Sequence, residues 1–231
     1  MNKKLLIIIP IIIILIGGLI FAGVKMSQSK NEYTGNKTTA TAENNKENNE
    51  INKENEVEDD EKNMYNTGLH YATIVVKNYG TIKLELDANI APITVANFIK
   101  LVNEGFYDGL TFHRIMDGFM IQGGAPYGNR NGVSLQNIKG EFLLNGVNNN
   151  ISHVRGVVSM ARASDYNSAS SQFFIVHEDS LFLDGQYAGF GKVIEGIEIV
   201  DEICKDTPVI DDNGTVLKNY QPIIEKITME N

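Results

Sequence analysis

Tryptophan is absent from this 231-residue chain, and cysteine occurs once, at Cys204. A single cysteine excludes an internal disulfide, a multi-cysteine zinc site and an iron–sulfur cluster. Positive charge is also scarce, because 20 Lys and Arg residues stand against 29 Asp and Glu residues, which gives a net charge of −9. Nucleic-acid binders need a basic face that neutralises phosphates, so this balance argues against nucleic acid as a partner.

The chain also lacks the short motifs of several catalytic sites. It has no G-x-S-x-G nucleophile elbow, which argues against a serine hydrolase, and no G-x-G-x-x-G loop. Residues 211–214 resemble the start of a calcium loop, but no acidic residue closes the pattern, and a turn is expected there. The histidines do not have the spacing of a metal-ligand motif: His70, His113, His153 and His177. We therefore expect no metal ion and no cofactor, and we expect Cys204 to pack in the core.

One long apolar run is present, over residues 5–24, and it follows Lys3 and Lys4. As a helix it would span about 30 Å, the thickness of a hydrocarbon core. Residues 1–24 are therefore predicted to be a transmembrane anchor or a secretory signal sequence. No clean A-x-A cleavage site follows the run, which favours the uncleaved anchor. Because the two lysines predict a cytoplasmic start, we expect a single-pass cell-membrane protein with an extracytoplasmic domain, secreted if the segment is cleaved.

Residues 25–66 are rich in Asn, Glu and Lys and poor in large apolar residues. Such a segment cannot bury enough apolar surface to offset its ordering entropy, so a disordered acidic linker is predicted. A helix is the alternative, since Glu and Lys favour helices, but the many Asn residues oppose it. A flexible chain of this length reaches roughly 35 Å on average. The linker would hold a folded domain near the membrane and let it search its surroundings.

From Thr67 to Asn231 the sequence has the pattern of one folded domain. Apolar and polar residues alternate on both sides of residues 78–80, which predicts a β-hairpin. Pro92 precedes apolar residues at helical spacing, which predicts one helix, and residues 196–204 predict a second. Further short apolar segments punctuated by glycine predict strands. The fold class is therefore expected to be mainly β, with an antiparallel barrel or sandwich as the two architectures.

Three segments of this domain could carry chemistry. TFHRIMDGFMIQGG places Arg114 among apolar strand residues, SQFFIV supplies Gln172 and aromatic residues, and LFLDGQYAGFGKV supplies further aromatic residues. An arginine on an edge strand is usually a solvated charge, and aromatics in barrel strands are usually core. Alternatively, the aromatics line an apolar pocket beside a fixed cation. The pattern alone leaves both interpretations open.

Residues 71–231 resemble the cyclophilins, which are peptidyl-prolyl cis/trans isomerases. The segments APITVANF, YDGLTFHRI, GFMIQGG, GVVSMA, SSQFFI and LFLDGQYAGFGKV occur in the order and at the spacing of that family. The resemblance implies a closed antiparallel eight-stranded β-barrel capped by two α-helices. It also implies an isomerase whose partners are proline-containing unfolded or exported polypeptides. A monomer is expected. The alternative is a non-catalytic proline-peptide-binding adaptor or holdase on the same fold.

The resemblance also implies which residues form the site. The catalytic arginine of the family corresponds to Arg114, and Gln122 corresponds to a residue that grips the substrate backbone. The proline-ring pocket corresponds to Phe119, Met120, Phe174 and Leu183. The remaining substrate-binding positions are His113, Ala161, Arg162, Gln172, Phe182 and Tyr187. His113 is expected to form structural hydrogen bonds and not to transfer protons.

Three of these positions depart from the commoner pattern of the family. Phe182 stands where many members have Trp, Tyr187 where many have His, and Arg162 where many have Asn. Phe182 has no indole N–H to donate, which puts tight binding of cyclosporin in doubt more than catalysis. Arg162 is expected to add positive charge near the groove and to favour acidic residues that flank the proline.

Overall fold

The computed structural model describes residues 65–126 and 135–230. The predicted membrane segment and nearly all of the predicted linker lie outside these residues. Within the described ranges, no helix is both long and apolar enough to cross a membrane.

Eight antiparallel strands form a single sheet in the described part of the chain. They are β1 (Leu69–Val76), β2 (Gly80–Asp87), β3 (Phe112–Met116), β4 (Met120–Gly123), β5 (Val157–Met160), β6 (Phe173–Val176), β7 (Gly189–Glu195) and β8 (Ile224–Glu230). Their order across the sheet is β3-β4-β6-β5-β7-β2-β1-β8. The mainly β fold class with eight antiparallel strands is confirmed.

The predicted hairpin is formed by β1 and β2, which pair along their whole length from Leu69–Asp87 to Val76–Gly80. Every second residue of both strands is buried, as expected when one face of a sheet covers a core. Asn78 has a φ of 68° in the turn, a left-handed conformation that Asn tolerates better than most residues. The turn lies where the sequence predicts it.

The two edges of the sheet approach each other just before β3 and β8. An isolated antiparallel bridge joins Thr111 to Ile223. The amide N of Phe112 donates to the Pro222 carbonyl oxygen at 3.0 Å, and the Ile224 N donates to the Leu110 carbonyl oxygen at 2.8 Å. This contact is a local bridge next to the ends of β3 and β8. The continuous strand pairing of the sheet runs from β3 to β8 in the order given above.

Two α-helices cover the sheet, as predicted: α1 (Pro92–Asn103) and α2 (Ile197–Asp206). Helix α1 has Pro at its start but no side-chain cap from Ala91. Its free amides instead donate to the buried Glu141 carboxylate, from Ile93 N to Oε1 at 3.1 Å and from Thr94 N to Oε2 at 2.7 Å. A carboxylate also favours the positive end of the helix dipole. A residue distant in sequence therefore caps α1.

The sheet has apolar residues on both faces, and they form two clusters. Phe173 and Ile175 of β6 belong to the main core, which includes both helices, whereas Phe174 and Val176 belong to a smaller cluster. Because successive side chains of a strand point to opposite faces, the smaller cluster lies on the face away from the main core. Cys204 packs in the main core, as predicted.

Candidate active site

The predicted site residues lie on the face of the sheet that carries the smaller cluster. Arg114 of β3 pairs in register with Gln122 of β4, and Gln122 pairs with Phe174 of β6. Phe174 in turn pairs with Ser159 of β5. Directly opposed residues in an antiparallel sheet have their side chains side by side. We call Arg114, Gln122 and Phe174 the catalytic row.

A β-bulge at His113 directs Arg114 to this face. Phe112 pairs with Gly123 and Arg114 pairs with Gln122, so His113 is an extra residue in β3. Phe112 and Ile115 are both buried in the main core although they are three residues apart. Strict alternation would place Phe112 and Arg114 on the same face, and the bulge shifts the alternation by one residue.

The Arg114 guanidinium is held by four contacts. Nε donates to the Asn213 carbonyl oxygen at 2.8 Å, and Nη2 donates to Asn213 Oδ1 at 3.1 Å. Nη2 also lies 3.1 Å from the sulfur of Met116, and Nη1 donates to Gln122 Oε1 at 3.2 Å. Burial lowers the pKa of Arg114, and Tyr187 and Asp211 act in the opposite direction. An arginine side chain remains protonated throughout the neutral range.

Gln122 continues this network away from Arg114. Its Nε2 donates to Gln172 Oε1 at 2.9 Å, while the Gln172 carbonyl oxygen accepts from Ala161 N at 2.9 Å. The structure therefore brings these three predicted residues together along one side of the smaller cluster. The orientation of the Gln122 amide is set by its two neighbours, because its oxygen faces a guanidinium and its nitrogen faces an amide oxygen.

The four residues predicted to form the proline-ring pocket all belong to the smaller cluster. Met120, Phe174 and Leu183 are buried, and Phe119 packs against them while half-buried. Met116, which contacts Arg114, packs against the same cluster. The cation and the apolar surface are therefore adjacent. The pocket interpretation agrees with this arrangement, and the interpretation of Arg114 as a solvated edge charge does not.

Phe182 and Tyr187 contact different residues of this apolar surface. The Phe182 ring lies 5.4 Å from that of Phe119, and the Tyr187 ring meets Phe174 edge-on at 6.0 Å. Phe182 is 52% exposed on a short 3-10 turn (Leu181–Leu183), whereas Leu183 on the same turn is buried. The turn thus supplies one wall residue and one exposed aromatic residue.

Arg162 is engaged within the protein and does not point freely into the groove. Its guanidinium carbon lies 5.1 Å from the ring centre of Phe142, 5.0 Å from Tyr166 and 4.7 Å from Tyr187. Nε and Nη2 both donate to the Gln186 carbonyl oxygen at 3.0 Å. Cation–π contacts on three rings fix this side chain. Its direct neighbour at the predicted site is Tyr187.

The Nδ1 atom of His113 is buried and has no hydrogen-bond partner among the described residues. Burial lowers the pKa of His113 below its usual value, and the charge of Arg114 lowers it further. The imidazole is therefore neutral at pH 7. Its position as the bulged residue of β3 gives it a structural role beside Arg114.

A Ser–His–Asp arrangement supports Phe174 from within the fold. His153 Nδ1 lies 2.9 Å from Asp184 Oδ1, and Nε2 lies 3.0 Å from Ser159 Oγ. The geometry resembles a hydrolase triad, but His153 and Ser159 have no exposed surface, so no substrate reaches the hydroxyl. The His153 ring stacks on Phe174 at 6.1 Å. These residues position the pocket wall.

Sequence reasoning missed Asn213, which makes two of the four contacts to Arg114. The predicted turn at residues 211–214 is present, and Asp211 Oδ1 closes it by accepting from Asn213 N and Thr215 N. Arg114 also forms a β-bridge with Thr215. In the sequence, Asn and Gly at residues 211–214 indicate a turn. They do not indicate that the turn holds the side chain of Arg114.

Comparison with known proteins agrees with this geometry. The family model of the cyclophilin type peptidyl-prolyl cis-trans isomerases matches residues 71–229. Peptidyl-prolyl cis-trans isomerase B of Bacillus subtilis is 45% identical over 140 residues, which cover 61% of this chain and 89% of that protein. Peptidyl-prolyl cis-trans isomerase A of Dickeya dadantii is 43% identical over 137 residues, which cover 57% of this chain and 70% of that protein.

Solved structures give the same result for the fold. A cyclophilin type peptidyl-prolyl cis-trans isomerase of Cryptosporidium parvum superposes with a TM-score of 0.59 at 29% identity, and the match covers 71% of this chain and 99% of that chain. A second structure of that protein, determined in the presence of the dipeptide Ala-Pro, gives a TM-score of 0.58 at 30% identity over 70% of this chain and 99% of that chain. By sequence and by fold, the chain belongs to the cyclophilin family and is a peptidyl-prolyl cis-trans isomerase.

Proposed function

We propose that this isomerase accelerates rotation of X–Pro bonds by holding the twisted amide between Arg114 and the smaller apolar cluster. The observation that carries this mechanism is the fixed guanidinium beside the pocket. Asn213 and Gln122 hold the guanidinium, and Met116 links it to the cluster. An arginine prepositioned in this way does not need to reorganise during the reaction.

The chemistry of the peptide bond explains why a cation is useful. Resonance makes the X–Pro bond planar and gives a barrier of about 20 kcal/mol to rotation. In the twisted state the proline nitrogen regains its lone pair and becomes a hydrogen-bond acceptor. A guanidinium beside it stabilises the twisted state more than either planar isomer, which is the requirement for catalysis. About 1.4 kcal/mol of such preference gives about tenfold in rate.

The other residues bind and orient the peptide in this mechanism. The ring of the proline is held by burial against Phe119, Met120, Phe174 and Leu183. Gln122, with Gln172 and Ala161 beside it, holds the backbone on one side of the bond while the other side rotates. Phe182 and Tyr187 contact the residues that flank the proline, His113 supports Arg114, and Arg162 acts through Tyr187.

The substrates are proposed to be proline-containing segments of unfolded polypeptides. The related Cryptosporidium parvum structure was determined in the presence of Ala-Pro, which supports a proline dipeptide as the minimal ligand. The exposed ring of Phe182 beside the pocket would add contacts with apolar flanking residues. The chain would act on such segments as a monomer.

An isomerisation assay on a proline-containing peptide tests the role of Arg114. We expect Arg114→Ala to lower kcat/KM by about 100-fold or more, a loss typical of removing a prepositioned electrostatic group. The circular dichroism spectrum and unfolding midpoint should stay close to those of the unmodified protein. Lys192→Ala is the matched control, because Lys192 is a cation that pairs with Glu85 away from the catalytic row.

The same variant separates catalysis from mere peptide binding. Arg114→Ala should bind a proline-containing peptide with an affinity within a few-fold of the unmodified protein while losing turnover. Undiminished turnover in Arg114→Ala would refute the mechanism. Absence of turnover in the unmodified protein, with peptide binding retained, would favour the adaptor or holdase function.

The remaining assignments concern the whole chain. We propose that residues 1–24 anchor it in the cell membrane, that residues 25–66 form a flexible linker, and that residues 67–231 form the catalytic domain outside the cytoplasm. The uniform apolar run after Lys3 and Lys4 supports the anchor. The enzyme would then assist the folding of exported proteins.

Protease treatment of intact cells should remove the domain but not the anchor, and mass spectrometry of the membrane fraction should find the intact amino terminus.

The barrel is also proposed to close fully in solution at the contact between the ends of β3 and β8. The Thr111–Ile223 bridge supports this closure. Hydrogen exchange should show slow exchange of the Phe112 and Ile224 amides, comparable to that of amides inside the sheet. Fast exchange of both would indicate an open seam.

A further inference from the structure

Three possible metal ligands that are far apart in the sequence meet beside the turn between β3 and β4. They are Asp117 in that turn, His177 directly after β6, and Cys204 in α2. One ligand atom from each lies within 4.8 Å of the others. His177 and Cys204 are buried and Asp117 is exposed. The proline-isomerase mechanism uses none of these three residues.

The hydrogen bonds of His177 determine which ring nitrogen carries the proton. Gly118 N donates to Nδ1 at 2.9 Å, so Nδ1 is the acceptor and Nε2 is the protonated atom. Nε2 then donates to Asp201 Oδ1 at 3.0 Å. Asp117 Oδ1 lies 3.5 Å from the same Nδ1 atom. Histidines that bind metals typically donate their other N–H to a carboxylate in this way.

A cavity of about 190 Å³ borders two of these three residues, Asp117 and Cys204. Asp117, Cys204 and Thr207 line it, together with Met116 and other residues of the adjoining turns. Thr207 is 7% exposed, and its hydroxyl oxygen has no hydrogen-bond partner within residues 65–126 and 135–230. The cavity has room for several water molecules, since one occupies about 30 Å³ in the liquid. A residue with an unpartnered buried hydroxyl therefore lines a cavity that also borders two of the three ligands.

We propose that Asp117, His177 and Cys204 bind a divalent transition metal of the zinc class, with water from the cavity completing the coordination. Three protein ligands drawn from carboxylate, imidazole and thiolate, plus one water, form a common tetrahedral set for Zn²⁺. The thiolate excludes Mg²⁺ and Ca²⁺, which prefer oxygen ligands. When the metal binds, His177 Nδ1 gives up its hydrogen bond from Gly118 N and coordinates the metal instead. Because this turn is exposed, Gly118 N can then donate to water.

The charges around the site are consistent with a cation. Asp117 and Asp201 contribute negative charge, and Arg155 opposes them through its ion pair with Asp201 at 2.8 Å. Burial, with both carboxylates, raises the pKa of the Cys204 thiol to about 12. The thiol is therefore protonated without metal, and metal binding releases this proton to solvent. At neutral pH such a thiol is a poor nucleophile.

The site is connected to the catalytic row through the same turn. Met116 lines the cavity and contacts Arg114 through its sulfur. His177 N donates to the Phe119 carbonyl oxygen at 2.8 Å. A metal held by Asp117 and His177 therefore acts on the segment that carries a pocket residue and a neighbour of the catalytic arginine. Isomerase activity should change when the metal binds.

Titration of the metal-free full chain with Co²⁺ tests the site. Co²⁺ bound by a thiolate gives an intense near-ultraviolet charge-transfer band, and we expect this band to saturate at one Co²⁺ per chain and to disappear when Zn²⁺ is added. Cys204→Ser should abolish the band. Asp117→Asn, a change at an exposed turn residue that should leave the fold intact, should weaken Co²⁺ binding by about tenfold or more.

A matched control distinguishes this site from weak binding to the acidic linker. Glu58→Gln changes a carboxylate of the linker and should leave the band and its midpoint unchanged. Absence of the band in the unmodified protein at millimolar Co²⁺ would overturn the proposal. An unchanged midpoint in both Asp117→Asn and His177→Gln would overturn it as well. The Co²⁺ band is read without any turnover assay, so the metal site can fail while the isomerase mechanism stands, and the reverse.

Discussion

At the level of single residues, the site depends on an irregularity in one strand. His113 is an extra residue in β3, and Arg114 therefore faces the groove while Phe112 and Ile115 both face the core. A regular strand with the same sequence would bury Arg114 or expose a phenylalanine. The bulge is thus the local feature that lets Arg114 face the smaller cluster while its neighbours in the strand pack in the core.

The mechanism at this scale predicts a flat pH profile. Arg114 remains charged, and no residue transfers a proton, so kcat/KM should vary less than about twofold between pH 6 and 8. Burial and the charge of Arg114 lower the pKa of His113, which favours the neutral form of this neighbour. The measurement is the peptide isomerisation rate in buffers of constant ionic strength. A steep bell-shaped profile would assign an acid or base role to His113.

Stability, in contrast, should depend on pH through the buried histidines. Burial lowers the pKa of His113 and His153 below the usual 6.5, so both are neutral in the folded state. In the unfolded chain both histidines take up protons below about pH 6.5. The stability that comes from keeping them neutral is therefore complete above that pH and is lost as the pH falls. Each contributes at most about 1.4 kcal/mol per pH unit.

Urea unfolding at pH 7.5 and pH 5.5 measures this effect. The free energy of unfolding should be lower at pH 5.5, and His113→Gln should reduce the difference. His70→Gln is the matched control, because His70 lies at the start of β1 and is only half-buried. Equal pH dependence in His113→Gln and the unmodified protein would contradict the assignment of His113.

At the level of secondary structure, helix α1 depends on a carboxylate outside it. Glu141 is buried and accepts from Ile93 N, Thr94 N and Thr94 Oγ1. Glu141→Gln should lower the free energy of unfolding by about 1–3 kcal/mol, because the amide cannot satisfy all these donors. Glu104→Gln, at the exposed end of the helix, should change it by less than about 0.5 kcal/mol. Chemical denaturation measures both, and equal effects would argue against the capping role.

The sequence predicted the elements better than their mutual contacts. The hairpin, both helices and the strands follow from local periodicity and from turn residues such as Asn78, and the structure confirms them. The catalytic row was predicted through resemblance to a family, since no local pattern pairs Arg114 with Phe174. The bulge at His113 and the contact from Asn213 were missed. Both depend on neighbouring segments that are distant in the sequence.

The cluster of Asp117, His177 and Cys204 was also not detected in the sequence. The histidines have no ligand spacing, so the sequence predicted no metal site. The fold joins a turn, a strand end and a helix, and these bring Asp117, His177 and Cys204 within reach of one ion. Spacing motifs detect ligands that share one helix or loop. They do not detect ligands that tertiary structure assembles.

At the level of the whole molecule, the catalytic domain should function without the preceding residues. The family match covers residues 71–229, and the catalytic row lies entirely within them. Residues 67–231, expressed alone, should have a kcat/KM for a short soluble peptide within about twofold of the full chain, since the proposed linker would contribute only reach. A loss of more than tenfold would show that residues 1–66 contribute to the site. The assay is the same peptide isomerisation, with Arg114→Ala in the short chain as the inactive control.

The catalytic row has a consequence for redesign. Arg114, Gln122 and Phe174 are aligned by main-chain pairing of three strands, whereas Phe182 and Tyr187 come from connecting segments at the margins. The segments that carry Phe182 and Tyr187 can be replaced to choose the sequence around the proline, while the strand pairing and the contacts from Asn213 keep Arg114 in place. The enzyme is thereby a template on which client preference can be engineered independently of rate.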